Sequence, residues 1–169
     1  MAGRLYTGPM YHKYNTVLRS KSGNQFLMQQ FEQLCKGNTY RTTIHAVNSC
    51  VIKLSKLTSA CKVWRGFTDA RLPDTFWSRN EQGVRGGVEY GFSSTTTERE
   101  QAIAYADGNA STLFEMQMGL VDRGAELSWL SQYPHEREIL FPPLTGIEMV
   151  SSDVDGQSLV IQVRPMALQ

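Results

Sequence analysis

Several common site chemistries are missing from this chain. Cysteine is scarce: Cys35, Cys50 and Cys61 are an odd set confined to the N-terminal third, with no Cys-X-X-Cys spacing. Such a set is no disulfide framework, and it reads as buried thiols in a reducing compartment. With only His12, His45 and His135 beside them, no metal site is expected. No run of about 18 apolar residues occurs, so no membrane-spanning helix is expected. The first residues lack the apolar segment of a secretory leader, and the expectation is a cytoplasmic protein or one exported without a classical signal peptide. Charge of one sign is also missing. Seventeen basic residues face sixteen acidic ones, for a formal net charge of +1, and the basic residues are scattered. That balance gives no electrostatic bias toward nucleic acid or an anionic membrane. The nucleophile elbow Gly-X-Ser-X-Gly is absent. So is Gly-X-Gly-X-X-Gly, which excludes the doubly wound dinucleotide fingerprint. Asn109-Ala110-Ser111 is a formal glycosylation sequon, attributed to chance in a chain without a leader.

What is present fits one domain over residues 1–169, with helices in residues 1–60 and mainly strands in 61–169. At 169 residues and 41% hydrophobic content the chain can bury an ordinary core. Thr7-Gly8-Pro9 marks a helix start, followed by Met10, Tyr14, Val17 and Leu18 at helical spacing. A second helix carries Phe26, Leu27, Phe31, Leu34 and Cys35. A third, capped by Asn38, carries Ile44, Val47, Val51 and Leu54 and runs to about Ser59. Strands are expected at 62–67, 88–95, 112–118, 138–141, 146–152 and 157–164, with a hairpin at Asp155-Gly156. Residues 72–80 read as a loop with one helical turn, and 82–87 as a mobile glycine-rich stretch. Thr97 with Glu100 reads as a capping box that opens a short helix through Tyr105. Helices first and strands afterwards define an α+β fold.

Three segments carry candidate chemistry. Glu136-Arg137-Glu138 places two carboxylates at i and i+2 just before apolar Ile139 and Phe141. On an extended chain they share a face, roughly 7 Å apart. Such a pair suits stabilisation of a cation plus proton removal, or it is a solvated strand end. Phe92-Ser93-Ser94-Thr95-Thr96 ends an aromatic strand in hydroxyls, which either orient a neighbouring carboxylate or cap the next helix. Arg65 lies inside the otherwise apolar Val63-Trp64-Arg65-Gly66-Phe67. A buried guanidinium needs a partner, either a core-edge carboxylate or the diphosphate of a ligand.

In this order the three segments resemble the arginine-specific mono-ADP-ribosyltransferases, whose pattern is an arginine, then aromatic-X-Ser-Thr-Ser, then Glu-X-Glu. Glu-Ile-Leu-Phe-Pro-Pro, from Glu138 onward, resembles the family's continuation. Tyr6-Thr7-Gly8, Tyr14-Asn15 and Leu18-Arg19 resemble the N-terminal helices of its eukaryotic members, so the likeness spans nearly the whole chain. Thr96 departs from the usual serine but keeps a hydroxyl. The lack of a leader, an anchor and paired cysteines makes the anchored vertebrate subgroup a poor match; an intracellular enzyme or an exported effector fits better. The resemblance implies N-terminal helices packed on a two-sheet mixed β core with an NAD cleft, and NAD as co-substrate without a metal. It also implies a target protein presenting an arginine, and a monomeric enzyme without nucleic-acid or membrane partners. Arg65 would hold the NAD phosphates, with Gly66 and Thr95 beside the nucleotide. Ser94 would orient Glu138, which stabilises the oxocarbenium-like cation, and Glu136 would receive the incoming guanidinium. Tyr105 would stack on nicotinamide or be a core contact. Trp129 and Tyr133, in the implied recognition loop, would touch the target or pack in the core. On the same fold, an NAD glycohydrolase, a transferase to another residue and a non-catalytic NAD-binding module are the alternatives.

Overall fold

A computed structural model describes residues 1–68, 72–106 and 111–167. Its helices are α1 (Ala2–Tyr6), α2 (Tyr11–Arg19), α3 (Gln25–Cys35), α4 (Arg41–Ser55), α5 (Asp74–Trp77) and α6 (Arg99–Tyr105). Its strands are β1 (Lys62–Thr68), β2 (Gly86–Glu89), β3 (Ser93–Thr96), β4 (Ser111–Gln117), β5 (Ala125–Glu126), β6 (Glu138–Phe141), β7 (Thr145–Asp155) and β8 (Ser158–Ala167). The α+β class is as expected. Two 3-10 turns complete the elements, Ser20–Ser22 and Pro134–Glu136. Among the described residues no helix is long and apolar enough to cross a membrane. The Asn109 sequon and residues 69–71 lie outside the described residues.

Instead of two separate sheets, the strands form one ladder in the order β2-β7-β8-β4-β1-β3-β6-β5. The expectation of two sheets is nevertheless close to the geometry. β1 and β3 are joined by the single pair Trp64↔Thr96, whereas β1 and β4 share seven pairs. The ladder therefore has a seam between a five-stranded part and the three strands β3, β6 and β5. Strand alternation on β6 splits its side chains between two cores. Ile139 and Phe141 join Val63, Phe114, Met116, Ile161 and Val163. Leu140 joins Tyr6, Tyr14, Val47, Val51, Phe92 and Leu127, so α1, α2 and α4 cover that face. Glu138 shares the parity of Leu140 and faces the helical side.

Several local expectations give way to tertiary contacts. α1 has too few apolar residues to be legible as a helix, yet it buries Gly3 and Tyr6. Asn38 does not cap α4: its Oδ1 accepts from the Tyr40 backbone in a local turn, Tyr40 takes a left-handed φ of 43°, and α4 ends at Ser55. In α3 only Cys35 is buried, while Phe26, Met28 and Leu34 are exposed. Asn24 caps α3 by accepting from Phe26 and Leu27. The run 88–95 is not one strand, because the chain turns at Tyr90–Phe92 and β2 and β3 pair in different parts of the sheet. Thr97 forms no capping box; its hydroxyl is buried and unpartnered, and Thr96 Oγ1 accepts from the Glu98 backbone instead. The β7–β8 hairpin closes after Asp155, with Gly156 at φ 63°.

Helix α6 lies against β1 so closely that Gly66 has no room for a side chain. A Cβ there would sit 2.0 Å from the Ala102 carbonyl oxygen and 2.9 Å from Ala106 Cβ. Gly66→Ala must push α6 off β1, and a loss of about 1–3 kcal/mol is expected, the usual scale for overpacking. Chemical denaturation should show a lower midpoint with an unchanged slope; wild-type stability would mean that α6 is free to shift.

Candidate active site

A cavity of about 760 Å³ opens between α2, β1, β3, α6 and the 133–138 segment. Its walls include Arg65, Gly66, Ser94, Thr95, Tyr105, Glu136 and Glu138, so the fold brings together every site residue proposed from sequence. Volumes of this order are typical of small-molecule sites.

Glu138, the first residue of β6, is only 7% exposed. Ser94 Oγ donates to Glu138 Oε1 at 2.7 Å across the β3–β6 ladder. One register step away, Thr95 Oγ1 donates to the Ile139 carbonyl at 2.7 Å, which ties the two strands together. Burial pushes the Glu138 carboxyl above the usual carboxylate range; the Ser94 hydrogen bond works against this, and the nearby Glu136 charge adds to it.

Glu136 does not lie on a strand with Glu138. It ends the Pro134–Glu136 turn, and Arg137 follows with a left-handed φ of 42°. The expected strand alternation therefore fails, because a side-chain-bearing residue at positive φ redirects the chain. Both carboxylates reach the same cavity all the same. Tyr105, the last residue of α6, donates its phenol to Glu136 Oε1 at 2.8 Å. Tyr105, Trp129 and Tyr133 are 60%, 68% and 47% exposed, so none is a core residue.

Arg65 is largely enclosed, with 19% of its side chain exposed. Its guanidinium donates to Ser93 Oγ, approaches Glu89 Oε2 at 3.5 Å and lies 4.9 Å from the Phe67 ring centroid. Burial lowers its pKa, and Glu89 works in the opposite direction. The core-edge carboxylate considered for this arginine thus exists. Glu89 is shared, however: Arg19 binds it with two hydrogen bonds, Nε at 3.0 Å and NH2 at 3.1 Å, and the Gly91 backbone donates to it as well. These donors hold Glu89 below the usual carboxylate range despite its burial. Two guanidinium groups and one carboxylate leave this cluster, taken by itself, with a net positive charge. A second cavity of about 400 Å³ adjoins at Arg19, Arg65 and Phe67.

Composition and motif reading passed over Arg19 and Glu89 as site residues. Tyr11, Asn15 and Arg19 recur every four residues along α2, a polar stripe that could have signalled a helix facing a site. Asn15 anchors this helix. It is buried, donates to the Tyr6 hydroxyl at 3.0 Å and accepts from the Phe92 backbone at 2.9 Å. The three cysteines are free thiols; burial raises the pKa of Cys35 and Cys61, away from nucleophilic thiolates. Among the described residues no group of three His, Cys, Asp or Glu could hold a metal ion.

The fold is that of the ADP-ribosyltransferases. The chain resembles the ADP-ribosyltransferase Vis, a toxin of Vibrio splendidus, at 20% identity and a TM-score of 0.68, over 98% of this chain and 73% of that one. HopU1 of Pseudomonas syringae is similar at 21% identity and a TM-score of 0.67, over 94% of this chain and 66% of that one. Exoenzyme S of Pseudomonas aeruginosa, solved with human 14-3-3 protein beta and carba-NAD, matches at 22% identity and a TM-score of 0.61, over 96% of this chain and 70% of that one. A sequence search of curated proteins returned no match. The family model described as NAD:arginine ADP-ribosyltransferase matches residues 1–167, and the chain belongs to that family. It is an ADP-ribosyltransferase with NAD as co-substrate.

The opposing influences on Glu138 give a signed expectation. Ser94→Ala removes the hydrogen bond that favours the carboxylate, so the Glu138 titration should move to higher pH. Glu136→Gln removes a neighbouring negative charge and should move it to lower pH. Carboxyl-detected NMR titration of the two variants measures both directions. Shifts of the same sign would mean that the charge and the hydroxyl do not act separately on Glu138.

Proposed function

We propose that this chain transfers ADP-ribose from NAD to arginine side chains of a target protein, with Glu138 and Glu136 in distinct roles. The observation that carries the reading is the cavity wall itself. A buried carboxylate oriented by Ser94 and a second carboxylate at the mouth share one cleft with a pair of guanidinium groups. Arg65 and Arg19 supply the planar donor forks that suit a diphosphate, and Glu89 leaves part of their charge uncompensated. The nicotinamide riboside half then lies along β3 toward Ser94 and Glu138, with Gly66 and Thr95 beside it and the Tyr105 ring at its edge.

Heterolysis of the bond between ribose C1′ and the nicotinamide nitrogen sends the electron pair out with nicotinamide and leaves an oxocarbenium-like cation. The Glu138 carboxylate stabilises that cation and holds the ribose hydroxyl, much as a glycosidase carboxylate does. A guanidine nitrogen of the acceptor attacks C1′ from the mouth, and its proton passes to Glu136. Arginine as acceptor is supported by the half-exposed Glu136, since a carboxylate in that position pairs with a guanidinium and has no counterpart duty in the hydrolysis of NAD. Trp129 and Tyr133 are both exposed, Tyr133 on the cavity wall, and they offer apolar contact to the target. A monomeric effector acting on a host protein is the biological setting we favour, in line with the toxin and effector neighbours.

Glu138→Ala should lower nicotinamide release by about two to four orders of magnitude, the scale of a positioned catalytic group, while the protein stays folded. Rapid NAD cleavage by a folded Glu138→Ala protein would remove Glu138 from the chemistry. Arg65→Ala should weaken NAD binding by about 1.5–3 kcal/mol, measured by calorimetric titration. Unchanged affinity would make Arg65 a purely structural arginine. Glu136→Gln should keep NAD hydrolysis and lose transfer to a guanidine acceptor, read as nicotinamide released against ADP-ribosyl-guanidine formed. If transfer persists, Glu136 is not the group that receives the acceptor.

A further inference from the structure

The two carboxylates have separate hydroxyl partners on separate elements. Ser94 serves Glu138 from β3, and Tyr105 serves Glu136 from α6. Among the described residues, the Tyr105 phenol is the one hydrogen-bond partner of the Glu136 carboxylate. The backbone around Glu136 is tied at two points, its N–H to the Tyr133 carbonyl at 3.1 Å and its carbonyl 3.1 Å from the Thr96 hydroxyl, but neither tie fixes the side chain. Tyr105 is held more firmly than its 60% exposure suggests. The Thr68 hydroxyl donates to the Tyr105 carbonyl at 2.9 Å, which pins the end of α6 to the end of β1. The tight seat of α6 on Gly66 fixes the helix itself. A restrained tyrosine thus reaches across the cavity mouth to a carboxylate that no other described residue holds.

We propose that Tyr105 is a positioning residue for the acceptor step, aiming Glu136 so that the enzyme favours transfer to a guanidinium over hydrolysis by water. The proposal rests on the role given to Glu136 above. With Oε1 held by the phenol, Oε2 is left to meet the acceptor and take its proton. The phenol itself transfers nothing. Burial and the Glu136 carboxylate push its pKa up to about 12, so it remains a protonated donor at neutral pH. Without the hydroxyl, Glu136 samples its rotamers freely and must be ordered by each incoming acceptor, at a cost in side-chain entropy. Water needs no such ordering, so the ratio of transfer to hydrolysis falls.

Tyr105→Phe isolates the hydroxyl, because the ring survives for any contact with nicotinamide. The position is exposed, so the fold is expected to survive, and circular dichroism checks it. With agmatine as acceptor, the expected result is a rise in the agmatine KM and a fall of about ten-fold in transfer per nicotinamide released, in line with losing one hydrogen bond to a charged group. Nicotinamide release without agmatine is measured for each variant and divides its transfer rate, so that any change in NAD handling cancels from the ratio. An unchanged ratio of transfer to hydrolysis overturns the proposal. So does an equal fall in transfer and in nicotinamide release, which would place the hydroxyl on NAD. Glu136→Gln, assayed in parallel, separates two failures. If it uncouples transfer while Tyr105→Phe does not, only the role of Tyr105 is wrong. If neither variant uncouples, the role of Glu136 falls, and that of Tyr105 with it.

Discussion

The site depends on keeping two opposite charges apart. Arg65 and Glu138 line one cavity, and direct pairing would occupy both and leave neither for a ligand. Each has its own partner instead. Glu89 and Ser93 take the guanidinium, and Ser94 takes the carboxylate. Adjacent residues of β3 thus serve opposite charges, because strand alternation sends Ser93 and Ser94 to opposite faces. A buried charge without a partner costs far more than the hydrogen bonds in this site return, so each partner is a condition for the cavity to exist. Glu89 does this for two arginines at once, and the shortfall of one negative charge leaves that cluster, taken by itself, net positive.

Geometry provides the opening. The single pair joining β1 to β3 lets the sheet part where α6 and α2 line the gap. Asn15 closes the helical side by bonding both Tyr6 and the Phe92 backbone, and the Tyr6 ring meets Phe92 edge-on at 5.0 Å between centroids. Four residues further along α2, this anchored face delivers Arg19 to Glu89. α6 forms the other side, seated on the bare backbone of Gly66. The cavity is therefore bounded by the anchored face of α2, the seated α6 and the strands that part between them.

Much of this was legible in the linear pattern. The spacing of Val47, Val51 and Leu54 marked α4, and the hydroxyl run and the Glu-X-Glu pair marked β3 and the start of β6. Other readings failed where local signals competed with distant ones. Phe26 and Leu34 have helical spacing, yet both are exposed. Tyr90-Gly91-Phe92 looks like strand interior, but the Gly91 amide is drawn to Glu89 and the Phe92 amide to Asn15, and the strand breaks there. Thr97 has the spacing of a cap, but its hydroxyl points into the protein and Thr96 accepts the amide instead.

The sequence by itself determined the α+β class, the family resemblance and the motif residues Arg65, Ser94, Glu136 and Glu138 that meet in the cavity. Those properties follow from short-range periodicity and from motifs whose members lie within a few positions of each other. Only the tertiary structure decided who partners whom. The Arg19–Glu89–Arg65 cluster spans 70 residues between Arg19 and Glu89, and the Tyr105–Glu136 bond spans 31. No local pattern encodes such pairings, because each is set by how α2, α6 and the 134–136 turn dock against the sheet. The left-handed Arg137 makes the same point within the motif itself: Glu136 and Glu138 share a cavity through the path of the folded chain and not through the alternation of a strand.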